Sequence, residues 1–487
     1  MSSSENKTGA GRSVAKISVL ALAVMNITTV VSLRGLPAEA EYGITSAFYY
    51  LFAAVFFLIP VALVAAELAT GWPQKGGVFR WVGEAFGHRW GFVAIYLQWL
   101  ATTIWFPTVL IFAGVALAYI GPHPVSDASL ASNRLYTICI ILSVYWIATL
   151  VTLRGLRSSS RLATLGGLIG TIIPAAVLLI LTVLYVLYVL GGNTVHFVAS
   201  ASDFFPDLSK LNNLVLAASI FLFFGGMEIN AVHVVEVENP SRNYPIAIIS
   251  AAAVTVVIFV FGTLCIATLI PQNDINLVQS LLVAYNALFA HFGMPWLGQL
   301  MAAALAFGVL GQITAIVAGP STGLLQVGRE GYLPPFLQAT NKNGVQSHIL
   351  FFQGLIVSVI SILLVVLPSV QSAYQILGQL ACILYLIMYI MMFAAAIYLR
   401  YSQPNTPRPY RVPGGNLGMW IIAGMGFLGS VVACVLSFIP PSQISVGNPE
   451  SYVLILLIGT VVFFAIPLWI YACRKPQWNC QSESDDQ

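Results

Sequence analysis

Two ionisable side chains stand inside apolar runs, where charge is expensive. Arg34 follows the run "ISVLALAVMNITTVVSL", and Glu228 lies within "LVLAASIFLFFGGMEINAVHVVEVENP". A charge at the centre of a bilayer costs roughly 2.5–3.5 kcal/mol on insertion scales, so each must be offset by a partner or a ligand. Each also adjoins helix breakers. Arg34 precedes Gly35, Leu36 and Pro37, and Glu228 follows Gly225 and Gly226. Proline lacks an N–H and clashes with the preceding turn, while glycine reaches dihedrals that no helix uses. A break leaves spare N–H groups on one half-helix and spare carbonyls on the other; the first suit a carboxylate, the second an ammonium. The chemistry indicated is non-covalent: capture of a zwitterionic amino acid or an amine. Gly-Gly and Gly-x-Pro also occur as kinks and packing features of membrane helices, and one break alone reads that way. Two breaks, with Gly35 and Gly225 190 positions apart and each beside an ionisable group, favour a transporter-type site.

Arg34 admits two readings. It anchors a substrate carboxylate, or it forms an internal ion pair with Glu39, Glu41 or Glu228. The first predicts a folded Arg34→Gln protein that binds substrate weakly; the second predicts a destabilised one. Glu228 has no basic residue nearby in its own run. It is the candidate for binding a substrate amine and for proton coupling, since intramembrane carboxylates are functional by default.

The elements that must hold these groups follow from composition. The chain has 487 residues, 59% hydrophobic and 8% charged. A soluble domain carries about 25% charged residues, so this chain lacks the means to cover a water-facing surface. A bilayer core of about 30 Å needs roughly 20 apolar residues per helix. Such stretches fall near 17–42, 44–68, 90–120, 134–153, 162–190, 212–236, 243–270, 295–318, 347–367, 373–399, 417–439 and 451–473, which predicts an all-α integral membrane protein with 12 transmembrane helices. Placing the N-terminus in the cytoplasm puts 17 of the 20 basic residues in cytoplasmic connections, leaving Arg134 and Lys210 outside and Arg34 within a span. That bias supports the count and cytoplasmic placement of both termini. With breaks in spans 1 and 6, five spans form each half; five is odd, so the halves are inverted. The expected organisation is a tail at 1–16, a five-helix repeat at 17–190, a second at 212–400, two further helices at 417–473 and a tail at 474–487. The segment 78–86, "VFRWVGEAF", reads as an amphipathic helix on the cytoplasmic surface.

Other functions find little support. A net charge of +3 argues against nucleic acid as a partner. The six cysteines form no CxxC pair and read as small buried hydrophobes. No HExxH or comparable metal spacing and no phosphate-binding loop motif occurs, so neither metal, cofactor nor ATP-driven pumping is indicated. His233, within span 6, reads as a partner for a neighbouring helix. A channel calls for charged rings or a carbonyl filter. An enzyme calls for convergent catalytic groups, and only Arg34 and Glu228 lie at depth.

Four stretches carry a resemblance: "GGVFRWVGEAFGHRWGF" (76–92), "FFGGMEINAVHVVEVENPSRNYPIAI" (223–248), "GPSTGLLQVGREGYLPPFLQATNKNGV" (319–345) and "YRVPGG" (410–415). From about residue 15 to 473 the chain resembles the amino acid–polyamine–organocation (APC) superfamily, and within it the bacterial glutamate:γ-aminobutyrate antiporter family. The resemblance implies a 5+5 inverted repeat (LeuT-like) with broken helices 1 and 6 plus two extra helices. It also implies alternating access and an amino acid or amine at the midplane of the cytoplasmic (inner) membrane, moved by antiport or proton-coupled symport. The alternative is a transporter-fold nutrient receptor that binds amino acids without moving them. Carried over, Glu228 matches a glutamate beside the substrate, and Tyr385 and Tyr389 match two pathway tyrosines, one helix face by their spacing of four. Gln312 stands where the family has a glutamate; Gln312 and Thr314 either bind substrate or join helices. The Arg34–Pro37 segment replaces a Tyr-Glu-Tyr-Pro break. The family's long C-terminal plug has no counterpart in "CRKPQWNCQSESDDQ", which predicts activity at neutral pH, above the range near pH 6.5 where histidine titrates. The implied partners are substrate, protons and membrane lipid, in a monomer or homodimer. Glu67, Glu236, Glu238 and Arg242 are expected to form interfacial or gate ion pairs.

Overall fold

The computed structural model describes residues 17–73, 76–121, 124–189, 204–206, 219–366, 369–440 and 448–479. The N-terminal tail, residues 480–487 of the C-terminal tail, Lys75, Lys210, His123 and the side chains of His233 and Glu236 lie outside the described residues. The chain forms α-helices α1 (Val19–Val30), α2 (Leu36–Ala40), α3 (Thr45–Gly71), α4 (Val78–Phe86), α5 (His88–Ala118), α6 (Pro124–Ala131), α7 (Arg134–Leu153) and α8 (Arg161–Leu187). There follow α9 (Ser219–Phe223), α10 (Pro240–Leu269), α11 (Ser280–His291), α12 (Trp296–Arg329), α13 (Ser347–Val366), α14 (Val370–Ser402), α15 (Gly415–Leu436) and α16 (Pro449–Ala472). Among the described residues ten helical stretches are long and apolar enough to cross a membrane, the first being Val19–Ala40, and two apolar helices are shorter. All backbone hydrogen bonding within a helix is local, which is why helices suit a solvent that offers no partners. The outer faces agree: Leu135, Ile147 and Leu150 on α7 and Leu457, Ile458 and Val461 on α16 are exposed, a surface made for lipid.

Several boundaries differ from the sequence expectation. α12 runs eleven residues beyond 318, through Pro320, because the following "STGLLQVGR" continues the apolar and small-residue pattern. The expected connection at 271–294 contains α11. The sixth stretch, expected at 212–236, is described only from Ser219: α9 is short, residues 224–228 form turns, and 229–236 form a 3₁₀ helix. Cys139 and Cys473 are exposed rather than buried, while Cys265 and Cys382 are buried.

Close backbone approach sets one crossing within the bundle. A Cβ on Gly170 would lie 2.1 Å from the Cα of Gly308, and one on Gly166 would lie 2.7 Å from the Cα of Gly311. Helices α8 and α12 thus cross in contact through paired glycines, the way membrane helices gain packing without a hydrophobic drive. α4 begins at Gly77 and ends at Gly87, both with positive φ, and buries Val78, Phe79, Trp81, Val82 and Ala85 against its neighbours.

The two ends of the bundle are tied separately. At one end, Gln279 accepts from Tyr119 and donates to Ser132. At the other, Glu67 of α3 accepts a two-pronged bond from Arg400 at 2.7 and 2.6 Å and a third from the Val412 amide at 2.7 Å, with Arg408 at 3.4 Å. Arg80 pairs with Glu330 at 2.6 Å at the same end. Glu67 therefore joins the end of α14 and the 410–415 motif. Glu238 is exposed, and its backbone N–H donates to Ile17.

Candidate functional site

The first break sits earlier than the Arg-Gly-Leu-Pro motif suggests. α1 stops at Val30; Val31 (φ −72°, ψ 116°) and Ser32 (φ −128°, ψ 105°) are extended, and Leu33–Gly35 make one 3₁₀ turn. Pro37 lies in the first turn of α2, where its missing N–H costs nothing. Proline therefore restarts the helix rather than ending it. Gly35 has ordinary helical dihedrals; its need for glycine is spatial, since a Cβ would meet the Phe223 ring at 2.8 Å. Gly226 is the opposite case, with φ +108°, a conformation that glycine adopts freely. The two breaks face each other: Asn230 donates to Asn26 Oδ1 at 3.1 Å and to Thr29 Oγ1 at 3.2 Å.

Between them lies a cavity of about 50 Å³, walled by Thr29, Arg34, Trp105, Gly225, Gly226 and Tyr385, among others. A single water needs roughly 10–15 Å³, so several polar atoms fit.

Arg34 is 4% exposed. Its guanidinium donates to the Tyr374 hydroxyl at 2.8 Å and lies 5.1 Å from the Trp105 ring centre and 5.4 Å from that of Tyr374. Its Nε has no hydrogen-bond partner, and among the described residues no carboxylate forms an ion pair with it. Among the described residues Arg34 forms no internal ion pair with Glu39, Glu41 or Glu228. A guanidinium buried on a cavity wall has donors that an anion could accept from.

Glu228 is 2% exposed and, among the described residues, is held by neutral donors. Gln98 donates to Oε1 at 2.8 Å, Tyr385 donates to the same oxygen at 2.6 Å, and Tyr389 donates to Oε2. The Tyr389 hydroxyl in turn accepts from the Gly226 N–H at 2.8 Å, so its proton is directed at the carboxylate. The second break, α5 and α14 are thereby locked around one carboxyl group. Tyr385 both binds Glu228 and lines the cavity, which puts the negative group one side chain behind the wall.

The structure brings Arg34, Gly225, Gly226 and Tyr385 to the cavity wall, with Glu228 and Tyr389 directly behind. Leu36 is fully buried against Gly262 of α10. Gln312 is half-buried on α12, outside the cavity lining, and its Nε2 has no hydrogen-bond partner. Thr314 bonds its own helix at Gly311. Gln98, Trp105 and Tyr374 escaped the sequence reading. An amide within the apolar run 90–120 was a usable signal for Gln98; nothing local distinguishes Trp105 or Tyr374 from packing aromatics. Among the described residues no cluster of three or more His, Cys, Asp or Glu is arranged to hold a metal.

The amino acid permease family model matches residues 17–463. The chain is 39% identical over 468 residues to an uncharacterized transporter of Legionella pneumophila, covering 96% of this chain and 98% of that protein. It is 33% identical over 461 residues to a glutamate/gamma-aminobutyrate antiporter of Lactococcus lactis, covering 94% and 90%. It is 24% identical over 448 residues to a protein of the same species named a probable agmatine/putrescine antiporter, covering 91% and 92%.

Proposed function

As a member of the amino acid permease family this chain is a multi-pass membrane transporter of amino acids or amines, not an enzyme, and we propose that it is a secondary active carrier for a carboxylate-bearing amino acid. The observation that carries the reading is Arg34, buried on the cavity wall without a carboxylate partner. The substrate's carboxylate binds the guanidinium, which Tyr374 and Trp105 orient. Its ammonium lies toward Tyr385 and Glu228. The Glu228 charge has only neutral donors, so it is neutralised by that ammonium or by a proton, which makes it the coupling group of the cycle. The glutamate and γ-aminobutyrate exchanged by the Lactococcus relative both carry a carboxylate and an amine, and this supports the assignment. We place the protein in the cytoplasmic membrane with both termini inside, as 12 spans in two inverted five-helix halves plus two helices. Alternating access moves the halves about the two breaks.

The test is counterflow. Purified protein in liposomes loaded with unlabelled L-glutamate, γ-aminobutyrate, other amino acids or agmatine is presented with the labelled compound. A carrier concentrates label transiently, faster when the inside is loaded. Saturable binding with no counterflow by any of them would remove the carrier reading and leave a receptor.

A further inference from the structure

A second, smaller cavity of about 20 Å³ also adjoins Arg34. Arg34 and Phe223 line both cavities; the rest of its wall includes Tyr374, Gln375, Gln379 and Cys382, all of α14. Two buried polar atoms of its lining residues, Arg34 Nε and Gln379 Oε1, lack hydrogen-bond partners, and the Gln375 amide, a third polar group of the lining, stands near the Tyr452 hydroxyl. Gln375 is 5% exposed and Gln379 2%. Buried polar atoms without partners are costly, and their gathering on one small cavity calls for a group that pairs with them.

We propose that this cavity is a subsite for the planar terminal group of the substrate, a carboxylate or carboxamide at the end of its side chain. The inference rests on the carboxylate-bearing substrate argued above and adds where the side-chain end is read. Size points the same way. The cavity holds one or two water-sized groups, so it takes the two terminal oxygen or nitrogen atoms of a substrate end and not an entire amino acid. The chemistry matches as well. Arg34 supplies a charged donor, and a glutamine amide turns to present either its N–H or its oxygen, so both a carboxylate and a carboxamide can be paired. Because Arg34 faces both cavities, substrate lies across its guanidinium, with backbone groups in the larger cavity and the side-chain end in the smaller. A polar site of this kind rejects an analogue that lacks the terminal group, because its own groups are then left unpaired.

The probes are L-glutamate, L-glutamine and L-norvaline, the last having the chain length without the polar end. Equilibrium binding to the purified full chain is measured for wild type, Gln375→Leu and Gln379→Leu. Wild type is expected to prefer glutamate or glutamine over norvaline by about tenfold or more, the value of one well-made hydrogen-bonded pair. Each variant is expected to lose most of that preference while norvaline binding stays as in wild type, which also shows that the variant is folded. A parallel readout uses protein whose cysteines other than Cys382 are replaced by serine: glutamate, and not norvaline, should slow maleimide labelling of Cys382. An unchanged preference in both variants, or an equal loss for all three probes, overturns the subsite while leaving the carrier intact. Failure of wild type to bind any amino acid overturns the carrier reading itself, and the subsite with it.

Discussion

Replacing Arg34 by glutamine should separate binding from folding. Burying this guanidinium costs roughly 2.5–3.5 kcal/mol on insertion scales. Its bond to Tyr374 at 2.8 Å, with a charged donor, returns about 1.5–3 kcal/mol. Its position near two aromatic rings, 5.1 and 5.4 Å from their centres, returns about 0.5–2 kcal/mol. These nearly cancel, and no carboxylate would be stranded by the change, since none pairs with Arg34 among the described residues. Arg34→Gln is therefore expected to shift the melting temperature of the detergent-purified protein by no more than about 3 °C. Removing one member of a buried charge pair with substrate costs about 2–5 kcal/mol. At about 1.4 kcal/mol per tenfold, affinity for a carboxylate-bearing substrate should fall at least about 30-fold. Melting by fluorescence-detected chromatography and binding of labelled L-glutamate decide the matter on one preparation. A large fall in melting temperature would show that the arginine holds the fold together, and unchanged binding would show that it does not meet substrate; either result refutes the reasoning.

Four further outcomes are expected. Glu228→Gln should remain folded, because a carboxamide oxygen still accepts from Gln98 and Tyr385, but counterflow should lose its pH dependence; an unaltered pH profile would remove Glu228 from coupling. Glu67→Gln should strand Arg400 and Arg408 without their buried counter-charge and cost about 3–5 kcal/mol, read as a marked fall in melting temperature. Gly170→Ala should be destabilised by about 1–3 kcal/mol or more, since the added carbon meets the Gly308 backbone and not a movable side chain. Burial raises the carboxyl of Glu41, in the turn after α2, to about 7. A raised carboxyl binds its proton more tightly in the folded state than in the unfolded one. It therefore favours folding below about pH 4.5 and withdraws that support as pH rises through 7. Glu41→Gln should then flatten the decline in melting temperature across that window, and an identical decline in both proteins would exclude the assignment.

Much of the architecture was legible because lipid imposes simple rules. A chain with so few charges must form helices of bilayer length, and the basic residues then bias their orientation. The second break was readable in Gly225-Gly226, where Gly226 takes a dihedral that glycine alone adopts easily. The first was only half readable. Pro37 flagged the region, but the extended residues are Val31 and Ser32, whose side chains carry no signal of it. Pro320 shows the converse, a proline inside a helix that continues to Arg329. Local sequence states what a backbone tolerates; the packing of neighbours selects among the tolerated states.

The sequence by itself determined that this is a helical membrane protein with two charges at depth beside two weak points in its helices. Only the tertiary structure decided what those charges meet. Arg34 finds Tyr374, 340 positions away, and no carboxylate among the described residues, while Glu228 gathers Gln98, Tyr385 and Tyr389 from two other helices. The physical reason is that periodicity specifies a helix's apolar face but not its rotation and depth against its neighbours. Those depend on summed contacts such as the glycine crossing of α8 with α12 and the Phe223 ring on Gly35, and a shift of one residue along either helix would give each charge a different partner.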